Sequence, residues 1–205
     1  MNTSKLVFSL NKTEMIVVEF QDDIDKMHCC SEAPIFFVQG AQKYMLENWT
    51  LSFNIPILSS LLNLVLKNEL QLHALITKDL GYLYAQYKFY SADRTMLEKI
   101  GFVFEQVNGQ YSWVGERYLV WAYDMAVWLY NDGNGDIVLE LTPVYKGNKF
   151  DFDGETDFTQ YEQFLRDYKP LFTRTLSREV AQQWLEQANS ILRQMTENSE
   201  RQRSG

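Results

Sequence analysis

The chain has 205 residues, 46% of them hydrophobic and 15% aromatic, and its 27 acidic residues outnumber 19 basic ones for a formal charge of −8. That is enough apolar material for one sizeable core, and with no run of Lys and Arg the acidic balance speaks against nonspecific binding to a phosphate backbone. The only cysteines, Cys29 and Cys30, are adjacent and can hardly close a normal disulfide. The first residues lack the unbroken apolar run of a secretory leader, and no apolar stretch reaches the ~20 residues that span a bilayer. The expected location is therefore the cytoplasm, with no membrane and no nucleic acid among the partners.

In chain order, Lys5–Leu10 and Met15–Phe20 are rich in β-branched and aromatic residues and flank Asn11-Lys12-Thr13, the pattern of a hairpin. Residues 21–31, with Asp22, Asp23 and Asp25, read as a loop or short helix, and Ile35–Val38 and Tyr44–Phe53 as further strands. Asn54 before Ile55-Pro56 reads as a helix cap, and Leu58, Leu61, Leu62, Val65 and Leu66 recur at helical spacing behind it. Helical patterns continue over Asp79–Tyr90 and Asp93–Ile100, the second stopped by Gly101.

From Gly101 to Lys146 the pattern changes to strands. Asn108-Gly109 joins one pair, Phe102–Phe104 and Tyr111–Val114. Asp132-Gly133-Asn134-Gly135-Asp136 joins another, Arg117–Tyr130 and Ile137–Leu141. This predicts a four-stranded antiparallel meander over about residues 101–146. Thr159-Gln160-Tyr161-Glu162 fits a capping box for a helix ending before Pro170. Ser177 caps a longer helix with Val180, Trp184, Ala188, Ile191 and Leu192 on its apolar face. The expected fold is α+β: the meander packed against N-terminal strands and central and C-terminal helices, as a single domain over 1–197 with a frayed tail at 198–205.

Motifs that carry chemistry are weak. Asp132, Asn134 and Asp136 match the first liganding positions of a calcium loop, but Ile137 and Pro143 stand where Gly and Glu are needed, so a tight turn explains them. Asp151, Asp153, Glu155 and Asp157, with Glu162, offer hard oxygen ligands but lack the glycine position. They read instead as an acidic loop leading to a helix N-terminus. His28-Cys29-Cys30, with only His73 besides, falls short of a zinc set. There is no G-x-S-x-G and no phosphate-binding glycine loop. No cofactor and no metal is called for. Arg166, Lys169, Arg174 and Arg178 alternate with acids as a solvated face.

The unusual stretch is residues 113–130, which holds three of the five tryptophans. As a strand it is apolar on both faces except for Asp124, a carboxylate that needs a partner if buried. Two functional readings fit this chain best, ahead of a divalent-cation-dependent interaction domain using the Asp151 loop. The first is a non-enzymatic acidic module that binds a basic protein partner, in the manner of an immunity protein or antitoxin. Its contacts would be Asp151, Asp153, Glu155, Asp157 and the aromatic anchor Trp113. The second is a small-ligand binder or enzyme with an aromatic-lined pocket formed by Asp124, Trp121, Trp128 and Arg117.

Overall fold

The computed structural model describes residues 4–20, 31–91, 93–107, 109–147 and 155–204. The β-rich start forms an antiparallel meander, sheet A, from β1 (Ser4–Ser9), β2 (Glu14–Phe20), β3 (Glu32–Gln39) and β4 (Gln42–Thr50). Alternation puts Phe8, Ile16, Val18, Ile35 and Phe37 on one face, where all are fully buried.

The central helix α1 (Leu51–Leu66) begins three residues before the predicted cap. Asn54 does not cap it: Thr50 holds the extended cap conformation, and Asn54 lies inside the helix on the buried stripe with Leu51, Ile55, Leu58, Leu61, Leu62 and Val65. Pro56 is tolerated in the second turn because the carbonyl it leaves without a donor belongs to Ser52, which is exposed to water. The helix stops at Asn68, whose φ of 60° takes the left-handed conformation and lets the Glu69 amide reach back to the Leu64 carbonyl. The strap after it is sewn to the second sheet: Asn131 donates from its backbone to Leu70 and accepts from Leu72, and its side chain donates to the Val65 carbonyl.

Helices α2 (Leu80–Phe89) and α3 (Arg94–Lys99) match their predicted positions, with Asp93 accepting from the Met96 amide as cap and Gly101 at φ 96° closing α3. The fold is α+β, and the strands between residues 101 and 146 divide in two. A hairpin of β5 (Phe104–Val107) and β6 (Gln110–Trp113) stands as its own sheet, and a 3-10 turn over Val114–Tyr118 separates it from the second large sheet. Gly115 makes that turn possible, because a Cβ there would run into the Trp113 ring.

Sheet B then forms from β7 (Leu119–Ala122), β8 (Met125–Asn131) and β9 (Ile137–Pro143), and its fourth strand is β10 (Phe172–Leu176), a strand the sequence pattern did not reveal. The predicted strand Arg117–Tyr130 is therefore folded back on itself, with Tyr123 and Asp124 as the connection between β7 and β8. At the other end, Asp132 accepts from the amides of Asn134 and Asp136, both at 2.9 Å, as expected of a tight turn.

Both faces of sheet B are covered. α1 packs against β7 and β8 as well as β4, while α2 crosses the opposite face, where Tyr84 meets Trp128 edge-on at 5.3 Å. α4 (Glu155–Asp167) begins before the predicted box at Thr159 and packs on α2. α5 (Arg178–Ser204), capped by the Ser177 hydroxyl at 3.2 Å from the Val180 amide, lies along α1 and buries Trp184 against Phe8 of sheet A. It runs as a helix through the residues expected to fray, because Met195 and Asn198 are still buried. Among the described residues no helix is long and apolar enough to cross a membrane.

The two sheets are joined at one edge by an ionic clasp. Glu14 of β2, nearly buried, accepts from Arg174 of β10 at 2.9 Å, from Gln39 at 3.0 Å and from Asn11. In contrast, the buried Asn54 has no hydrogen-bond partner among the described residues for either side-chain polar atom. Leucine has the same side-chain branching and heavy-atom count and no polar atom to leave unpaired, so Asn54→Leu is expected to raise unfolding stability by about 1–2 kcal/mol in urea denaturation.

Candidate functional site

The residues singled out from sequence do not assemble into one site. Asp151 and Asp153 lie outside the described residues. Glu155 and Asp157 fall in the first turn of α4, and their side chains are not among the described atoms. Trp113 is not an exposed anchor: it is 2% exposed and packs on Phe102, Tyr87 and Trp128.

The pocket expected around Asp124 is also corrected. Because the chain reverses at Tyr123-Asp124, this carboxylate sits at a hairpin tip, exposed, and pairs with Lys146, whose ammonium also lies 5.3 Å from the Tyr123 ring centroid. Trp121 and Trp128 are core residues, with the Trp128 Nε1 donating to Thr142 Oγ1 at 2.8 Å, and Arg117 projects outward from the 3-10 turn. Nothing converges there.

A concave feature lies instead at one end of sheet B. It is an open groove of about 820 Å³. Its floor is made by Met125 at the start of β8 and Pro143 at the end of β9, and Tyr44 of β4 closes one side. The opposite wall is α4 and the turn after it, through Gln163, Phe164, Asp167, Tyr168 and Lys169. Tyr145 links wall to floor, 5.3 Å from Phe164 and 5.4 Å from Tyr161 between ring centroids. Tyr161 in turn stacks on Phe89 of α2 at 3.8 Å, so a continuous run of rings fixes α4 to α2 and holds the groove open. Its position at the ends of β8 and β9 exposes aromatic faces that the sheet would otherwise bury.

Behind the groove wall lies a row of buried polar groups on the α2 side of sheet B. Alternation along β8 and β9 puts Trp128, Tyr130, Glu140 and Thr142 on this face. Glu140 is 6% exposed; its Oε2 accepts from the Tyr130 hydroxyl at 3.1 Å, and its Oε1 is buried without a donor among the described residues. Burial pushes its carboxyl up to about 7. The Tyr130 hydrogen bond opposes the shift, and the charge of Asp79, at the N-terminus of α2, adds to it.

Tyr168 bridges the two features. Its ring forms groove wall, while its hydroxyl is buried beside Gly81 of α2 and Thr142. Burial raises this phenol well above its ordinary value, and the charges of Glu140 and Asp79 raise it further.

Sequence reasoning missed Glu140, although the signal that drew attention to Asp124 was equally present. An acid at the centre of Ile137-Val-Leu-Glu-Leu-Thr-Pro143 is a charge in a strand with apolar neighbours on both faces. The groove residues left no comparable signal, since they come from four separated segments. Compared with known proteins, the chain matches no family model, no curated protein and no solved structure.

Two measurements test this arrangement. The folded Glu140 keeps its proton where an unfolded carboxyl, at an ordinary 4.5, has lost it. Its contribution is therefore fully present below about pH 4.5 and is lost as pH rises through 7, a change of about 3 kcal/mol. Glu140→Gln is expected to flatten the fall of unfolding stability between these limits; an unchanged slope would show that Glu140 ionises freely in the fold. Gly81 is the close-approach point of α2 on β9: a Cβ there would overlap the Thr142 side chain and lie 2.6 Å from the Tyr168 hydroxyl. Gly81→Ala should cost about 1–3 kcal/mol in thermal or urea unfolding despite its better helix propensity.

Proposed function

We propose that this chain is a non-enzymatic protein-binding module, of the immunity or antitoxin kind, that docks a basic partner protein at the groove beside α4. The observation that carries this reading is the composition of the groove. Its walls offer Tyr44, Tyr145, Phe164 and Tyr168 as apolar and aromatic contact surface, the residue types that dominate binding energy at interfaces. The helix that forms one wall carries Glu155, Asp157, Glu162 and Asp167 against a single Arg166. On a chain with a net charge of −8, that acidic helix would accelerate association with a cationic partner and select against acidic ones. The adjacent Cys29 and Cys30 suit the cytoplasm, where such an inhibitor would meet its target.

A second reading is supported by the size of the cavity, which falls within the range of small-molecule sites. It retains the expectation of an aromatic-lined ligand pocket and moves it from Asp124 to Tyr145, Phe164 and Tyr168.

The deciding experiment is an affinity capture from native lysate with wild type and Phe164→Asp, at low and high salt, alongside native mass spectrometry of the purified chain. The expected result is one basic protein, weakened by salt and reduced at least about tenfold by the substitution. Equal recovery by both forms would remove the groove as the docking site, and a co-purifying small molecule would favour the second reading.

A further inference from the structure

Glu140 has no cation near it among the charged groups that bear on it. Around it stand Tyr130 and Trp128 of β8, Asp79 at the start of α2 with the exposed Lys78 turned onto the Tyr82 ring, and Thr173 opposite it on β10. Arg174, one residue along β10, is committed to Glu14 on the far side of the sheet. Tyr168 completes the surround, and Asp167 and Lys169 flank it at the exposed rim of the groove. A carboxyl with one undonated oxygen, next to a second carboxylate, lowers the stability of the fold above neutral pH and serves nothing in the packing. The cation-over-ring contacts of the described residues fall on Phe36, Tyr82, Phe104, Tyr111, Tyr118, Tyr123 and Phe172, and none of them falls on Phe164 or Tyr168.

We infer that the groove contains a cation subsite at Tyr168, where an arginine or lysine side chain of the docked partner lies on the phenol ring between Asp167 at the rim and Glu140 behind the wall. This rests on the docking reading and adds what the groove recognises: a segment with apolar residues for Tyr44, Met125 and Phe164 and a cationic residue next to them. An aromatic face attracts a cation, and the low dielectric behind it carries the field of Glu140 through the ring. Linkage then fixes the sign. A cation on Tyr168 favours the ionised Glu140, so binding releases a proton and tightens as pH rises through neutrality.

The test uses a synthetic amphipathic peptide of leucine and arginine, with a leucine–glutamate peptide as control. Binding is followed by titration calorimetry and by NMR of the aromatic resonances of Phe164 and Tyr168. Wild type should bind the Leu–Arg peptide about fivefold to tenfold more tightly near pH 8.5 than near pH 5.5, and Glu140→Gln should reduce that ratio to about twofold or less. The Glu140 side-chain carboxyl carbon should also titrate at lower pH when the peptide is bound. If Phe164 and Tyr168 respond but the pH ratio is the same in both proteins and the Glu140 midpoint stays in place, the subsite is wrong and the docking groove stands. If the groove resonances respond to neither peptide at any pH, the inference and the docking reading beneath it both fail. Equal binding of the Leu–Glu peptide also overturns the subsite. Glu140→Gln keeps the shape of the side chain and an acceptor for Tyr130, so its fold is checked by the same NMR spectrum.

Discussion

The pairing of β8 with β9 puts apolar side chains on both sides of two adjacent strands, and the rest of the chain is arranged to cover them. On one side Val127, Leu129, Leu139 and Leu141 are taken up by α1 and by sheet A. On the other, Trp128 meets Tyr84 of α2, and α2 is held in turn by α4 through stacked rings. An antiparallel sheet usually leaves one face to water; here neither face can be left, which is why one chain builds layers on both sides. The groove is a by-product of that arrangement, lying where the strands end and the layer of α4 continues past them.

Glu140 belongs to the same pair of strands and runs against their logic. Its neighbours along the face are tryptophan, tyrosine and threonine, each of which can satisfy one polar atom and present the rest as apolar surface. A carboxylate has no such economy. Strain of this kind is common where proteins bind or react, because the group that destabilises the empty protein gains most when a partner arrives. The proximity of Glu140 to Tyr168, and of Tyr168 to the groove, connects a costly residue of the core to a concavity on the surface.

Much of the fold was legible because it depends on local physics. The hairpin of β1 and β2, the leucine stripe of α1, the Gly101 stop of α3, the Asp132 turn and the Ser177 cap all arise from a few neighbouring residues. The features that escaped were decided at a distance. The reversal at Tyr123-Asp124 has none of the glycine or asparagine that marks such turns, so β7 and β8 read as one strand. β10, with Thr173, Arg174 and Thr175 exposed between Phe172 and Leu176, resembles a polar linker until β9 offers it an edge. Asp124 and Glu140 are equally odd in sequence. Only the third dimension separates them, putting one at a solvated tip beside Lys146 and the other in the interior with no cation beside it among the described residues. The groove was illegible for the same reason, since Tyr44, Met125, Phe164 and Tyr168 meet only after both sheets have formed.

The late position of β10 bears on how the molecule is made. Sheet B pairs β7, β8 and β9 through short connections, but its outer strand arrives only after α4, and the Arg174 that β10 carries must find Glu14 a separation of 160 residues back in the chain. Closing so long a loop is entropically slow, and until it happens the outer edge of β9 presents unpaired amides and carbonyls. During synthesis that edge stays open while the stretch beyond residue 143 emerges, so this protein passes through an interval in which a neighbouring chain can pair with β9 in place of its own strand. Sticking between nascent copies, rather than weakness of the finished fold, is the hazard this topology carries.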